Sequence, residues 1–255
     1  MRFASLGSGS KGNALLVQVG GSSVMLDCGF GLHDCCQRLA RLGMVAEQLD
    51  GILVTHEHGD HIGGVARLAR KFGLPVWLTH GTLRAQPKLF ADISGLREID
   101  PHQRFAIGDI EIHPYPVPHD ATEPVQFVFS DGAKRLGVLT DAGCSTPHIL
   151  SMLEGCHALV LECNHDSEML RNGEYHYRLK QRVGGRLGHL SNLQAADILA
   201  NLDTRQLQHI VAAHISEQNN LPELAVSALC QVLDCEKEWV GVACQQHGFD
   251  WREIV

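Results

Sequence analysis

The chain has 255 residues, enough for a large α/β core, with 44% hydrophobic residues, 20% charged residues and a formal net charge of −8. No run is long and apolar enough to span a bilayer, and the acidic balance argues against a nonspecific nucleic-acid coat, which needs a basic face. No linker, repeat or low-complexity tract divides the chain, so a single domain over 1–255 is expected. The N-terminal stretch MRFASLGSGSKG lacks the apolar core of a secretion signal. Nine cysteines without a C-x-x-C pair read as reduced thiols, so the expected location is the cytoplasm.

A strand is predicted near 2–6. The loop SLGSGSKGN at 5–13 contains a literal G-x-G-x-x-G, from Gly7 to Gly12. A dinucleotide fingerprint requires a helix opening directly after that loop. Two short strands follow instead, at 14–19 and 23–27, joined by Gly20-Gly21. The loop therefore reads as a turn between strands. Asp27 ends the third strand, and a helix is predicted at 32–42.

Residues 50–64 read DGILVTHEHGDHIGG. The apolar run at 51–55 has the look of a buried strand, and 62–72 has helical apolar spacing. Between them stand His56, His58, Asp60 and His61, at the carboxyl end of a strand, where α/β proteins commonly bind ligands. His56 and His58 can converge on one metal ion, and Asp60 with His61 on another. Imidazole with carboxylate suits zinc, manganese or iron. Further strands are predicted near 75–79, 110–117, 125–130, 135–140, 158–162 and 209–213. Further helices are predicted near 146–154, 191–202 and 222–232, with Ser191 as an N-cap. The segment 175–180, YHYRLK, reads either as a packed amphipathic helix or as a base-stacking surface. Lys180, Arg182 and Arg186 make the densest basic patch.

H-x-H-x-D-H is the signature of the metallo-β-lactamase-fold hydrolases, and the chain resembles that superfamily. The resemblance implies an αββα sandwich of two mixed β-sheets flanked by helices. It implies two divalent ions: His56, His58 and His119 hold one, Asp60, His61 and His214 hold the other, and Asp141 bridges both. Asp27 and His165 are then expected behind the ligands, orienting them.

The strings ECNHD at 162–166, GHLSN at 188–192 and AHISEQNN at 213–220 resemble the branch of RNase Z and the PhnP-type phosphodiesterases. The full set of strings is similar to the YycJ (WalJ/VicX) family, regarded as exonucleases acting on DNA. What this implies is a phosphodiesterase or nuclease that uses a metal-bridging hydroxide on DNA, RNA or a small phosphodiester. Asp60, Glu162 and His189 are its expected catalytic residues, the last two as a proton relay. An acyl hydrolase of a thioester or lactone, or a regulatory metal-binding protein, are the alternatives. In this reading Ser8, Ser10, Lys11 and Asn13 bind substrate phosphate, unless their loop is only a turn. No membrane partner is expected.

Overall fold

Strands such as ALLVQV and ALVLE are apolar at nearly every position because each sheet is covered on both faces, by helices outside and by the other sheet inside. The structure is a computed structural model that describes residues 1–255. The first sheet contains β1 (Arg2–Gly7), β2 (Ala14–Val19), β3 (Ser22–Leu26), β4 (Gly51–Leu53), β5 (Val76–Thr79) and β6 (Leu96–Ile99). The second contains β7 (Phe105–Ile107), β8 (Ile110–Pro116), β9 (Val125–Ser130), β10 (Arg135–Leu139), β11 (Ala158–Glu162), β12 (His209–Ala213) and β13 (Val240–Val242). The last strand, β14 (Phe249–Glu253), returns to pair with β1, so each sheet has seven strands. Both sheets join an antiparallel part to a parallel part, β3 to β6 in one and β10 to β13 in the other.

The helices are α1 (Leu32–Arg41), α2 (Gly59–Ile62), α3 (Val65–Phe72), α4 (His80–Ala85), α5 (Pro87–Phe90), α6 (Pro147–Leu153), α7 (Ser167–Asn172), α8 (Tyr177–Val183), α9 (Asn192–Ala200) and α10 (Pro222–Leu233). Leu39, Val65 and Leu68 press α1 and α3 onto the first sheet. Ile149, Ile198 and Leu229 press α6, α9 and α10 onto the second. Between the sheets, Phe3, Val17, Phe127, Phe129 and Val211 form the central core. Burying each of these large side chains contributes about 1.5–3 kcal/mol. The nine cysteines form no disulfide, and no helix is long and apolar enough to cross a membrane.

Three expectations need correction. The helix at 62–72 is two helices, because Gly63 and Gly64 interrupt it; Gly64 approaches the 28–30 turn so closely that a Cβ there would lie 1.8 Å from the Phe30 carbonyl. The strand at 51–55 stops at Leu53, because the Thr55 amide donates to the Asp27 carboxylate. The segment at 175–180 is no packed amphipathic helix: α8 starts at Tyr177 and has no buried residue.

Candidate metal centre

The site lies along one edge of the sandwich, on loops that leave the carboxyl ends of strands. Three of its residues, Asp27 after β3, Asp141 after β10 and His214 after β12, have left-handed backbones with φ of 59°, 52° and 53°. Asp and His tolerate this region better than most residues, yet each such position costs about 1–3 kcal/mol. The turn geometry swings each side chain off its strand toward the gap between the sheets.

Three imidazoles meet at one end. His56 Nε2 is 3.0 Å and His119 Nε2 is 3.3 Å from His58 Nδ1. At the other end, His61 Nε2 is 3.5 Å and His214 Nε2 is 3.7 Å from Asp60 Oδ2. Asp141 sits between the groups, with Oδ2 3.3 Å from His61 Nε2 and Oδ1 3.9 Å from His119 Nε2. The structure thus brings together all seven residues that the resemblance names as ligands.

Hydrogen bonds behind the rings fix which nitrogen faces the centre. The Asp27 carboxylate can only accept, so Thr55 Oγ1 donates to it at 2.8 Å and must accept from His56 Nδ1 at 2.9 Å. His61 Nδ1 donates to Asp27 Oδ2 at 2.8 Å, His119 Nδ1 to the Gly188 carbonyl at 3.0 Å, and His214 Nδ1 to Glu162 Oε1 at 2.9 Å. All four rings therefore turn Nε2 to the centre, the orientation a metal ligand needs. Gly188 opens the GHLSN string and Thr55 directly precedes His56, but neither string shows the contact each residue makes; the spacing of Asp27 and His56 gives no hint of the hydroxyl that links them.

This donor set fits divalent metal ions. Asp141 Oδ2 and His214 Nε2 are buried without a hydrogen-bond partner, an arrangement that is costly unless a cation satisfies it. Burial, with His61 beside it, holds His56 far below the usual imidazole range, so its lone pair stays free. Burial pulls His214 down, but Asp141, Asp60 and Glu162 outweigh it and raise the ring to about 10. The carboxylates demand positive charge there, and a bound metal ion displaces the proton that otherwise supplies it.

Glu162 is fully buried and fully bonded. Its Oε1 accepts from His189 Nδ1 at 2.8 Å and from His214 Nδ1 at 2.9 Å; its Oε2 accepts from the Ala142 and Leu190 amides. Burial raises its pKa, but His189 and His214 outweigh that and hold it at about 2. Burial lowers His189, and Glu162 reverses the sign and raises it. With Nδ1 engaged, His189 has Nε2 left for the pocket of about 360 Å³ that it shares with Ser10, Asp60, Tyr175, Arg182 and Ser216. Ser191, not His189, caps α9 through a capping box with Gln194.

The glycine-rich loop is a turn between β1 and β2, with no helix after it. Gly12, at φ 152°, has no room for a side chain, since a Cβ would lie 2.7 Å from the Phe30 ring. Of its polar residues only Ser10 lines the pocket. Ser8 is buried and accepts from the His214 amide at 2.9 Å. Asn13 is buried and lies 3.3 Å from Asp60 Oδ2, while its backbone amide donates to the Asp60 carbonyl. Lys11 pairs with Glu217 at 2.5 Å on the exposed rim. His165 is buried but has no hydrogen bond to any of the seven candidate ligand residues, and its Nδ1 has no partner at all.

Comparison with known proteins agrees with this architecture. Residues 22–215 match the β-lactamase superfamily domain. The chain is 36% identical over 256 residues to the exodeoxyribonuclease YycJ of Bacillus anthracis, covering 98% of this chain and 96% of that protein. It is 33% identical over 249 residues to the exodeoxyribonuclease WalJ of Streptococcus pneumoniae, covering 94% and 91%. The metallo-β-lactamase-fold protein YhfI of Bacillus subtilis shares the fold, with a TM-score of 0.75 at 18% identity over 99% of both chains. By matched length and identity the chain belongs to the metallo-β-lactamase superfamily and, within it, to the family of YycJ and WalJ.

Proposed function

We propose that the chain, acting as one domain, is a metal-dependent phosphodiesterase of the nuclease type that cuts DNA or RNA strands. The observation that carries this reading is the Glu162 carboxylate, which accepts from His214 Nδ1 on one side and from His189 Nδ1 on the other and raises the pKa of His189. An alkoxide leaving group needs a proton, whereas a thiolate leaves without one, so this pair suits phosphodiesters better than thioesters.

His56, His58 and His119 would hold one divalent ion, Asp60, His61 and His214 a second, and Asp141 both. Zinc, manganese and iron all suit the donors. Such ions, when bound, make a water-derived nucleophile available near neutrality and offset charge on the phosphate. The protein's part is positional. Asp27, Thr55, Glu162 and the Gly188 carbonyl lock the rings in the ligand tautomer. Asp60 fixes one edge of the pocket beside the reacting phosphate. His189, whose pKa Glu162 raises, donates its Nε2 proton to the departing sugar oxygen.

A substrate panel tests this reading. Bis-p-nitrophenyl phosphate and end-labelled single-stranded DNA and RNA should be cleaved, and a chelator should abolish the cleavage. A thioester and a lactone should be inert. Rapid thioester hydrolysis with no phosphodiester cleavage would overturn it.

A further inference from the structure

The helix α8 separates two clefts. Leu179, Arg182 and Val183 face the metal pocket, whereas Tyr177, Lys180, Gln181 and Gly184 line a second cleft of about 420 Å³, closed by His165, Ser167 and Arg171. No residue of α8 is buried, and Tyr177 and Leu179 are 66% and 36% exposed. A helix with no buried face gains nothing from core packing. Its anchors are polar: Lys180 Nζ donates to the Arg171 carbonyl at 2.7 Å, and Arg182 Nε donates to Asp120 Oδ2 at 2.5 Å.

Composition here opposes that of the chain. Between 171 and 186 stand Arg171, Arg178, Lys180, Arg182 and Arg186 against one acid, Glu174, in a protein of net charge −8. The three tyrosines divide in the same way. Tyr115 is fully buried in the core, while Tyr175 lines the metal pocket and Tyr177 the second cleft. Aromatic faces and cations along a groove are the means of holding a single strand without reading its sequence. Arg171 pairs with the exposed Glu168 and Arg182 with the half-buried Asp120; a largely exposed pair is worth about 0–1 kcal/mol, so a phosphate can replace it.

We propose that the α7–α8 segment is a track for one polynucleotide strand, which runs from the metal pocket across α8 into the second cleft. Tyr175 stacks a base beside the cut, and Tyr177 stacks one beyond the helix. Arg182 meets the phosphate nearer the metals, Lys180 and Arg171 those farther away. The inference rests on the phosphodiesterase reading and explains how an acidic protein grips a polyanion: along the path of the strand cations outnumber acids, the reverse of the chain as a whole.

The test is binding of fluorescent, cleavage-resistant phosphorothioate strands of about twelve nucleotides, one DNA and one RNA, to the full-length protein by anisotropy. Tyr177→Ala should weaken binding about tenfold, and Tyr177→Trp should restore it. The double variant Arg171→Ala/Lys180→Ala should lower the slope of log affinity against log salt by about 1.4, at about 0.7 per lost phosphate contact. Neither variant should change hydrolysis of bis-p-nitrophenyl phosphate, which is too short to reach the second cleft. Unchanged binding in both variants would overturn the track, as would equal loss on the small substrate, which would mark the segment as structural support. Wild-type protein that binds the strands through Tyr177 but cleaves no phosphodiester would refute the proposed reaction and leave the track standing. Wild-type protein that cleaves the small diester but binds no strand would do the reverse.

Discussion

Replacing Thr55 by valine tests the tautomer relay with almost no change of shape. Thr55 is 1% exposed, and its amide keeps its bond to Asp27 Oδ1 in the variant. Only the hydroxyl is lost, and with it the acceptor for His56 Nδ1 and one donor to Asp27 Oδ2. The Nδ1–H is then buried without a partner, a penalty of about 1–3 kcal/mol. His56 can escape by moving its proton to Nε2, but that blinds the lone pair aimed at the centre. Either outcome weakens the metal site formed with His58 and His119, by the roughly 10–100-fold typical when a group behind a ligand is removed. Asp27 still accepts from His61 Nδ1 at 2.8 Å, so the group around Asp60 should suffer less. Titration against a competing metal chelator measures the affinity, and a melt in chelator measures the protein alone, which should lose about 2–4 °C per kcal/mol. Thr55→Ser keeps the hydroxyl and should restore both. Unchanged metal affinity in Thr55→Val, or equal damage from serine, would refute the relay.

Metal analysis of protein purified without chelator should approach two ions per chain, and Asp141→Ala should lose both. A firm ceiling of one ion would remove His119 or His214 from the ligand set. Gly12→Ala should cost at least about 1–3 kcal/mol in chemical denaturation, because φ is 152° and the new methyl meets Phe30; unchanged stability would mean the loop rearranges freely. Lys11→Ala should change kcat/KM on phosphodiesters by less than about fivefold, because the ammonium is engaged by Glu217 on an exposed rim. A larger loss would return Lys11 to the substrate site.

The candidate ligand cluster at 56–61 was legible because all its parts lie on one strand–loop–helix junction, where residue type and position speak together. His119, Asp141 and His214 were legible only through resemblance, since nothing local says that three distant strand ends share a gap. The left-handed turns at Asp27, Asp141 and His214 left no trace in the sequence, because neighbours far along the chain enforce them. Thr55 stands inside the quoted stretch at 50–64, but its link from Asp27 to His56 was silent for the same reason: nothing local shows which distant carboxylate its hydroxyl meets. The strand β14 was missed because FDWRE is half exposed, and its place depends on pairing with β1 at the opposite end of the chain. Apolar spacing in α8 suggested a packed face, but periodicity cannot say whether anything covers it.

In the proposed reaction Glu162 and His189 deliver a proton to a phosphodiester leaving group beside a metal centre. The most direct measurement compares His189→Ala with wild type on two substrates at equal metal content. With bis-p-nitrophenyl phosphate, whose p-nitrophenolate leaves unaided, kcat/KM should be nearly unchanged. With a DNA or RNA strand, whose sugar oxygen needs the proton, kcat should fall about 10²–10⁴-fold. An equal loss on both substrates would contradict the account and make His189 a structural or binding residue.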